Sequence, residues 1–271
     1  MLSALTVAAR PEFSISAWSC RPDRRNWSPV ERALEPRLVL VRAGRFRRRG
    51  AAGVVDLDPT VGYFGEPCEE EQFAHPHGGD VCTSIQMSPT VWRRLCGEPG
   101  GERIAAVYID AKTELAHRTL LARQPSDVDY RLAEDLVQLV AVALRQATRR
   151  MPVHDASGPF DRRLVERARS AIHDEHPAAS GLFPLAELIG ASPYRLSRAF
   201  PRELGVSITT YRNRIRVGRA LDRLERDEGS IADVAATLGF ADQAHFTRVL
   251  RAHVGHTPAA LRRVFAAQRN G

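Results

Sequence analysis

The feature that most constrains this chain is an internal repeat near its C-terminus, at a spacing of fifty residues. The run Ser192-Pro193-Tyr194-Arg195-Leu196-Ser197-Arg198-Ala199-Phe200 lies that far ahead of Asp242-Gln243-Ala244-His245-Phe246-Thr247-Arg248-Val249-Leu250. At the same offset Leu204-Gly205 pairs with Val254-Gly255, Ser207 with Thr257, Tyr211 with Leu261 and Arg212 with Arg262. Upstream, Ala186 and Gly190 match Ala235 and Gly239 at an offset of forty-nine, so the second copy has one extra residue in its turn. A repeated supersecondary unit restricts the fold more than any single motif does.

Each copy has the parts of a helix-turn-helix. The small residues Ala186 and Ala235 allow close helix crossing, and Gly190 and Gly239 supply the positive φ of the turn. Ser192 and Asp242 suit the N-cap, and Pro193 suits the first helical position, where its missing N–H would be unpaired anyway. The helices that follow are expected to bury Leu196, Ala199 and Phe200 in one copy and Phe246, Val249 and Leu250 in the other. That leaves Pro193, Tyr194, Ser197 and Arg198 outward in the first, and Gln243, Ala244, Thr247 and Arg248 in the second, with Arg251 a turn further on. These side chains suit a major groove. Arginine reaches guanine O6 and N7 together, glutamine reaches adenine N6 and N7, and Thr, Ala or Tyr meets a thymine methyl or a phosphate. The competing use of the same residues is a solvated helix face.

Between the copies, Ile208, Tyr211, Ile215, Leu221 and Leu224 mark a helix over about 209–226. At ~1.5 Å per residue it spans roughly 27 Å, enough to hold the two units about one DNA turn (~34 Å) apart. Its arginines, Arg212, Arg214, Arg216, Arg219 and Arg223, are divided between solvent and phosphate.

The rest of the chain changes character twice. Short apolar or alternating runs, at 13–18, 37–42, 54–57, 61–64, 72–75, 81–87 and 104–109, are broken by Gly and Pro and predict strands of an antiparallel sandwich or barrel. From Thr113 onward the period is helical, and Val128, Leu132, Leu136, Leu139, Val140 and Ala143 form one stripe of a helix over Ser126–Arg149 with Ser126 as N-cap. A Pro- and Gly-bearing stretch at 151–159 reads as a linker. The expected fold is therefore α+β: a domain at 1–150, β-rich over about 10–110 and helical over 113–150, then an all-α domain at 160–271 with two helix-turn-helix units joined by a linker helix.

Charge is consistent with a polyanionic partner. Lys112 is the only lysine, and residues 152–271 hold 18 arginines against 13 acidic residues. Arginine, unlike lysine, gives planar bidentate bonding to phosphate and guanine. The longest apolar run, 136–144, is too short to span a bilayer, and Met1–Pro11 lacks the plan of a secretory signal. The expected location is the cytoplasm, with no membrane association.

The pattern Ile231-Ala232, Ala235, Gly239-Phe240, Asp242, Phe246, Arg248 and Gly255-x-Thr257-Pro258 resembles the signature of AraC/XylS-type regulators. The resemblance covers about residues 160–265. It implies a seven-helix domain that contacts double-stranded promoter DNA with both recognition helices and works, usually as an activator, with RNA polymerase. Two departures stand out: Leu261 replaces a frequent aromatic residue, and Pro201 replaces a frequent basic one. Pro201 is expected to end the first recognition helix early and to remove a phosphate contact. The upstream block, with His75-Pro76-His77-Gly78-Gly79-Asp80, resembles the cupin-like ligand-binding and dimerisation domain of many such regulators. That resemblance implies a β-barrel with a small-molecule effector, and a homodimer through the Ser126–Arg149 helix.

Cys68, His75, His77 and Cys82 fall within fifteen residues, and two thiolates with two imidazoles can hold a zinc-like ion or act as a thiol sensor. Core cysteines and loop histidines are the other reading. Four cysteines in a cytosolic chain argue against structural disulfides. Two enzyme readings compete with a non-enzymatic regulator. A cupin metal enzyme would want a glutamate soon after the paired histidines, where only Asp80 is near. A cysteine-based methyl-acceptor repair protein would want close cysteine pairs, and no two here are nearer than fourteen residues. A pure repressor would share every DNA-facing residue.

Overall fold

The computed structural model describes residues 2–20, 26–51, 53–96, 106–122, 129–150 and 159–270. It divides into two compact units: Met1–Ile109 with Thr119–Arg149, and Asp110–Arg118 with Arg150–Gly271. Residues 151–158 of the expected linker, and the expected cap Ser126, lie outside the described residues.

The first unit is built on two antiparallel sheets. One has six strands in the order β1 (Leu2–Ala9), β2 (Phe13–Cys20), β9 (Asp80–Met87), β4 (Arg37–Gly44), β7 (Val61–Gly65) and β10 (Val107–Tyr108). The other has four, in the order β3 (Glu31–Arg32), β8 (Glu70–Ala74), β5 (Phe46–Gly50) and β6 (Gly53–Leu57). Side chains alternate across a strand, so each strand of the large sheet serves two environments. Phe13, Ile15, Leu38, Leu40, Phe64, Ile85 and Met87 are buried in a core shared with helix α3 (Asp129–Arg150), which contributes Leu136, Leu139, Val140, Ala143 and Ala147. Trp92 of helix α1 (Pro89–Cys96) adds to this core, packing on Phe64 with ring centroids 5.6 Å apart. The alternate residues, including Trp18, Arg37, Val39, Tyr63 and Cys82, line a cavity of about 570 Å³.

Buried charge fastens the two sheets to each other. Glu71 on β8 pairs with Arg37 on β4 and accepts from Arg48 Nε on β5 at 2.6 Å. Arg48 also reaches Glu69 at 2.6 Å, and its guanidinium lies 4.6 Å from the centre of the Tyr63 ring. An Arg48 side chain 1% exposed is tolerable only because its charge is answered on several sides.

The second unit is helical. Helices α4 (Pro159–His173), α5 (Leu182–Leu188), α6 (Pro193–Leu204), α7 (Ile208–Glu225), α8 (Ile231–Thr237), α9 (Gln243–Val254) and α10 (Pro258–Asn270) give the seven that the family pattern implied. Helix α7 is the axis. Tyr211 packs edge-on against Phe200 of α6 with ring centroids 5.5 Å apart, while Leu221 and Leu224 join Val234, Phe246, Leu250 and Phe265 in a continuous core. Leu261, the departure from an aromatic, is 1% exposed in that same core.

Pro201 does not shorten α6, contrary to the sequence expectation. The helix runs on to Leu204, twelve residues like α9, with Gly205 capping it in the left-handed region. Pro201 is exposed, so the backbone bond it forfeits lies where water can replace it, while buried Leu196, Ala199 and Phe200 anchor the turns before it.

Asp110–Arg118, which the sequence reading assigned to the N-terminal domain, groups with the helical unit as the first part of helix α2 (Ala111–Leu121). Glu114, buried, meets Arg214 of α7 at 2.6 Å and accepts from Arg118 Nε at 3.0 Å. Arg118 further reaches Asp222 at 2.7 Å and Glu225 at 2.6 Å, and these acids raise the pKa of its guanidinium against the opposing effect of burial. Gly218 makes the room: a Cβ there would lie 3.0 Å from Arg214 Nη1 and 3.3 Å from Glu114 Oε2.

Two outcomes follow. Glu114→Ala takes one carboxylate from a buried pair and is expected to cost about 3–5 kcal/mol in urea unfolding. His253, on α9, has its pKa lowered by burial first and then by the Arg214 charge, with Asp110 opposing. A folded imidazole held below its ordinary range binds fewer protons than the unfolded one, so its contribution is complete above that range and is lost as pH falls through it. Unfolding free energy measured from about pH 7 down to about pH 5 should therefore fall more steeply in the parent than in His253→Gln.

Candidate functional site

Helices α6 and α9, which follow the two turns, are set by the same local chemistry. Ser192 accepts from the Arg195 N–H at 3.2 Å and Asp242 from the His245 N–H at 2.6 Å, each in extended backbone at the N-cap. The glycines of both turns, Gly190 and Gly239, have φ of +68°. Ahead of the second turn, Ser230 and Asp233 form a reciprocal capping box, and the bonds from Ser230 hold the Asp233 carboxyl below its usual range.

On α6, Pro193 is half-buried at the first turn and Tyr194 is 70% exposed. Arg198, one turn on, is exposed; its Nη1 donates to the Tyr194 hydroxyl at 3.2 Å, with the guanidinium 5.5 Å from the ring centre. Tyr194 and Arg198 therefore form one preassembled donor surface. Ser197 is half-buried, and its hydroxyl donates to the Tyr194 carbonyl at 2.9 Å. On α9, Gln243, Ala244, Arg248 and Arg251 are exposed. Thr247 is half-buried and donates to the Gln243 carbonyl at 2.8 Å. Ser197 and Thr247 thus present a methylene or methyl edge and a hydroxyl already bonded at its proton.

The arginines of α7 are not divided simply between solvent and phosphate. Arg214 is 1% exposed and holds Glu114. Arg216 Nε donates to the Leu238 carbonyl at 2.9 Å while its guanidinium lies 3.7 Å from the Phe240 ring centre. Partial burial, followed by the Arg212 charge, lowers its pKa. Arg219 donates to the His173 carbonyl at 2.8 Å and meets Glu175 at 2.7 Å, and Arg223 faces Glu228 at 3.6 Å. These side chains brace the helical unit.

The cysteine and histidine set read from the sequence is taken apart. His75 and Cys82 both line the cavity between the sheets, but Cys68 is exposed in a turn with φ +61°, and His77 is exposed beyond Pro76. In their place the fold brings Cys20 and Asp80 to His75. Burial, and then the neighbouring Asp80 carboxylate, push the Cys82 thiol well up. Tyr63, deeper in the same cavity, has its phenol raised by burial against the lowering effect of Arg37 and Arg48. Cys20 was missed because it is more than fifty residues from the others in the chain; the signal that could have found it is the strand pairing, which sets Cys20 opposite Asp80.

Residues 185–264 match the family model described as a helix-turn-helix domain. The arabinose operon regulatory protein of Escherichia coli K12 is 32% identical over 106 residues, which are 38% of this chain and 36% of that protein. The HTH-type transcriptional regulator YfiF of Bacillus subtilis 168 is 26% identical over 188 residues, 68% of this chain and 57% of that protein. The chain thus covers less than two thirds of either relative's length. Among solved structures, ToxT from Vibrio cholerae O395 aligns at 10% identity and a TM-score of 0.39, over 93% of this chain and 98% of that one.

The cap that starts α9 gives a direct check on how that helix is held. Asp242→Ala should lower stability by about 1 kcal/mol in thermal or urea unfolding, and Asp242→Asn by much less.

Proposed function

We propose that this chain, whose residues 185–264 match the model of a helix-turn-helix domain, is a sequence-specific DNA-binding transcription regulator of the AraC type. The observation that carries the reading is the pair of matched helices, α6 and α9, each capped at an equivalent serine or aspartate and each presenting an exposed arginine, Arg198 or Arg248, at the same place after the cap. Arg198 with Tyr194, and Arg248 with Gln243, supply contacts to base edges. Pro193, Ser197, Ala244 and Thr247 shape the apolar and backbone-facing side of each helix, and Arg251 meets phosphate. An α7 of eighteen residues, about 27 Å at ~1.5 Å each, suits successive major grooves of one duplex.

The cavity of the first unit takes a small-molecule effector, and α3, whose face away from the core includes Tyr130 and Val137, supplies a homodimer contact. The relatives' names support action on transcription, and activation through RNA polymerase is the form we favour over occupancy alone. No helix among the described residues is long and apolar enough to cross a membrane, and the proposed site of action is the cytoplasm.

The test uses the full chain and a duplex that it selects from a random-sequence pool. Arg248→Ala should weaken binding to the selected duplex by about 1–3 kcal/mol and relax preference at one position, with little change on random duplex. Equal loss on both would make Arg248 a phosphate contact. Failure of the parent to enrich any duplex would overturn the reading.

A further inference from the structure

The cavity of the first unit contains a set of donor atoms that DNA recognition does not use. Cys20 closes β2, His75 follows β8 directly and Asp80 opens β9, and one candidate ligand atom from each lies within 4.8 Å of the other two. Independent constraints bring them there. Cys20 and Asp80 are partners in the β2–β9 ladder, and Asp80 also faces Gly44 across the β4–β9 ladder. At Gly44, with φ +77°, a Cβ would come within 2.1 Å of the Gly79 carbonyl oxygen, so glycine is required for the chain to pack down beside Asp80. His75 leans on Phe46 with ring centroids 5.9 Å apart, and its Nε2 lies 2.9 Å from Asp80 Oδ1. Asp80 is 6% exposed, while Cys20 and His75 are half-buried at the cavity wall.

The chemistry of the set selects its ligand. A thiolate, an imidazole and a carboxylate are the three donor types that zinc accepts, at about 2.3, 2.0–2.1 and 2.0–2.2 Å. Around a tetrahedral ion such bonds place donor atoms about 3.3–3.7 Å apart, a spacing reached here by side-chain rotation. Calcium and magnesium would want oxygens throughout. The deprotonated cysteine and aspartate carry two negative charges, which a divalent ion neutralises in a half-buried place where either anion alone is costly.

We propose that Cys20, His75 and Asp80 bind one divalent transition-metal ion of the zinc class, with the fourth position open to the cavity. On binding, the Cys20 thiol gives its proton to solvent and the sulfur lone pair forms the metal bond, while His75 binds as neutral imidazole and Asp80 as carboxylate. Three protein ligands with one exchangeable position distinguish such a site from a closed structural one. Cys82 faces the same cavity but stands outside the set, as do Cys68 and His77.

The full-length protein, reduced and stripped of metal by chelator, is titrated with cobalt(II) and with zinc(II). One equivalent of metal per chain is expected, with sulfur-to-cobalt charge-transfer absorption in the near ultraviolet. That absorption should vanish in Cys20→Ser and persist in Cys68→Ser and Cys82→Ser. Zinc affinity should fall by at least about tenfold in His75→Gln and Asp80→Asn, and not in His77→Gln. A reading on the unaltered chain guards against variants that fail to fold: zinc should slow alkylation of Cys20 by a thiol reagent by at least about tenfold and leave Cys68 unchanged. Substoichiometric uptake, charge-transfer absorption that survives Cys20→Ser, or Cys20 alkylation indifferent to zinc would each overturn the proposal.

Discussion

The helical unit depends on α7 being buried along its whole length by different partners. Tyr211 is buried against Phe200 of the first helix-turn-helix, and Leu221 and Leu224 toward the second. Arg214 is satisfied by an acid from a distant part of the chain. A surface helix ordinarily has one apolar stripe. This one is closer to a core helix that carries polar residues wherever a partner waits for them. Helices α6 and α9 are both keyed to a single rod, so their separation is set by packing and does not depend on a flexible connection.

The same principle separates what could be read from the sequence and what could not. Local rules found the caps Ser192 and Asp242, the turn glycines and the outward faces of α6 and α9, because each is decided within a few residues. Strand β4, whose apolar run Leu38–Val41 is wholly buried, and strand β9 were also legible. Strand β1, Leu2–Ala9, where alanines take the place of large apolar residues, and strand β5, Phe46-Arg47-Arg48-Arg49-Gly50, were not. In β5 the arginines look like a solvated run, yet Arg48 is interior because Glu71 and Tyr63 from other strands, and Glu69 just ahead of β8, converge on it. Arg214 misleads in the same way. A charged residue is placed inside by partners far away in the chain, and a periodicity cannot register them.

Pro201 shows the converse error. The rule that proline ends a helix describes the cost of a lost bond and a ring clash, but that cost is weighed against what holds the flanking turns. Leu196, Ala199 and Phe200 are all within 1% of full burial, and the proline ring faces outward, so tertiary packing prevails. The cysteine and histidine cluster failed for a further reason. Nearness in sequence suggested a set of four, but the turn from His75 to Asp80, which crosses from one sheet to the other, leaves His77 out and carries Asp80 in, and only the strand register reveals that Cys20 joins them.

The helical unit is not one uninterrupted stretch of chain. Asp110–Arg118 enters it before the chain departs and returns. A gene fusion cut between Arg150 and Pro159 would transplant α6 and α9 but leave behind Glu114, the acid that meets Arg214. For this chain, then, the helical unit is not a portable cassette cut from one continuous stretch. Recombination that moves it intact must bring a short helical passport from the far side of α3, and this restricts which neighbouring domains it can be recombined with.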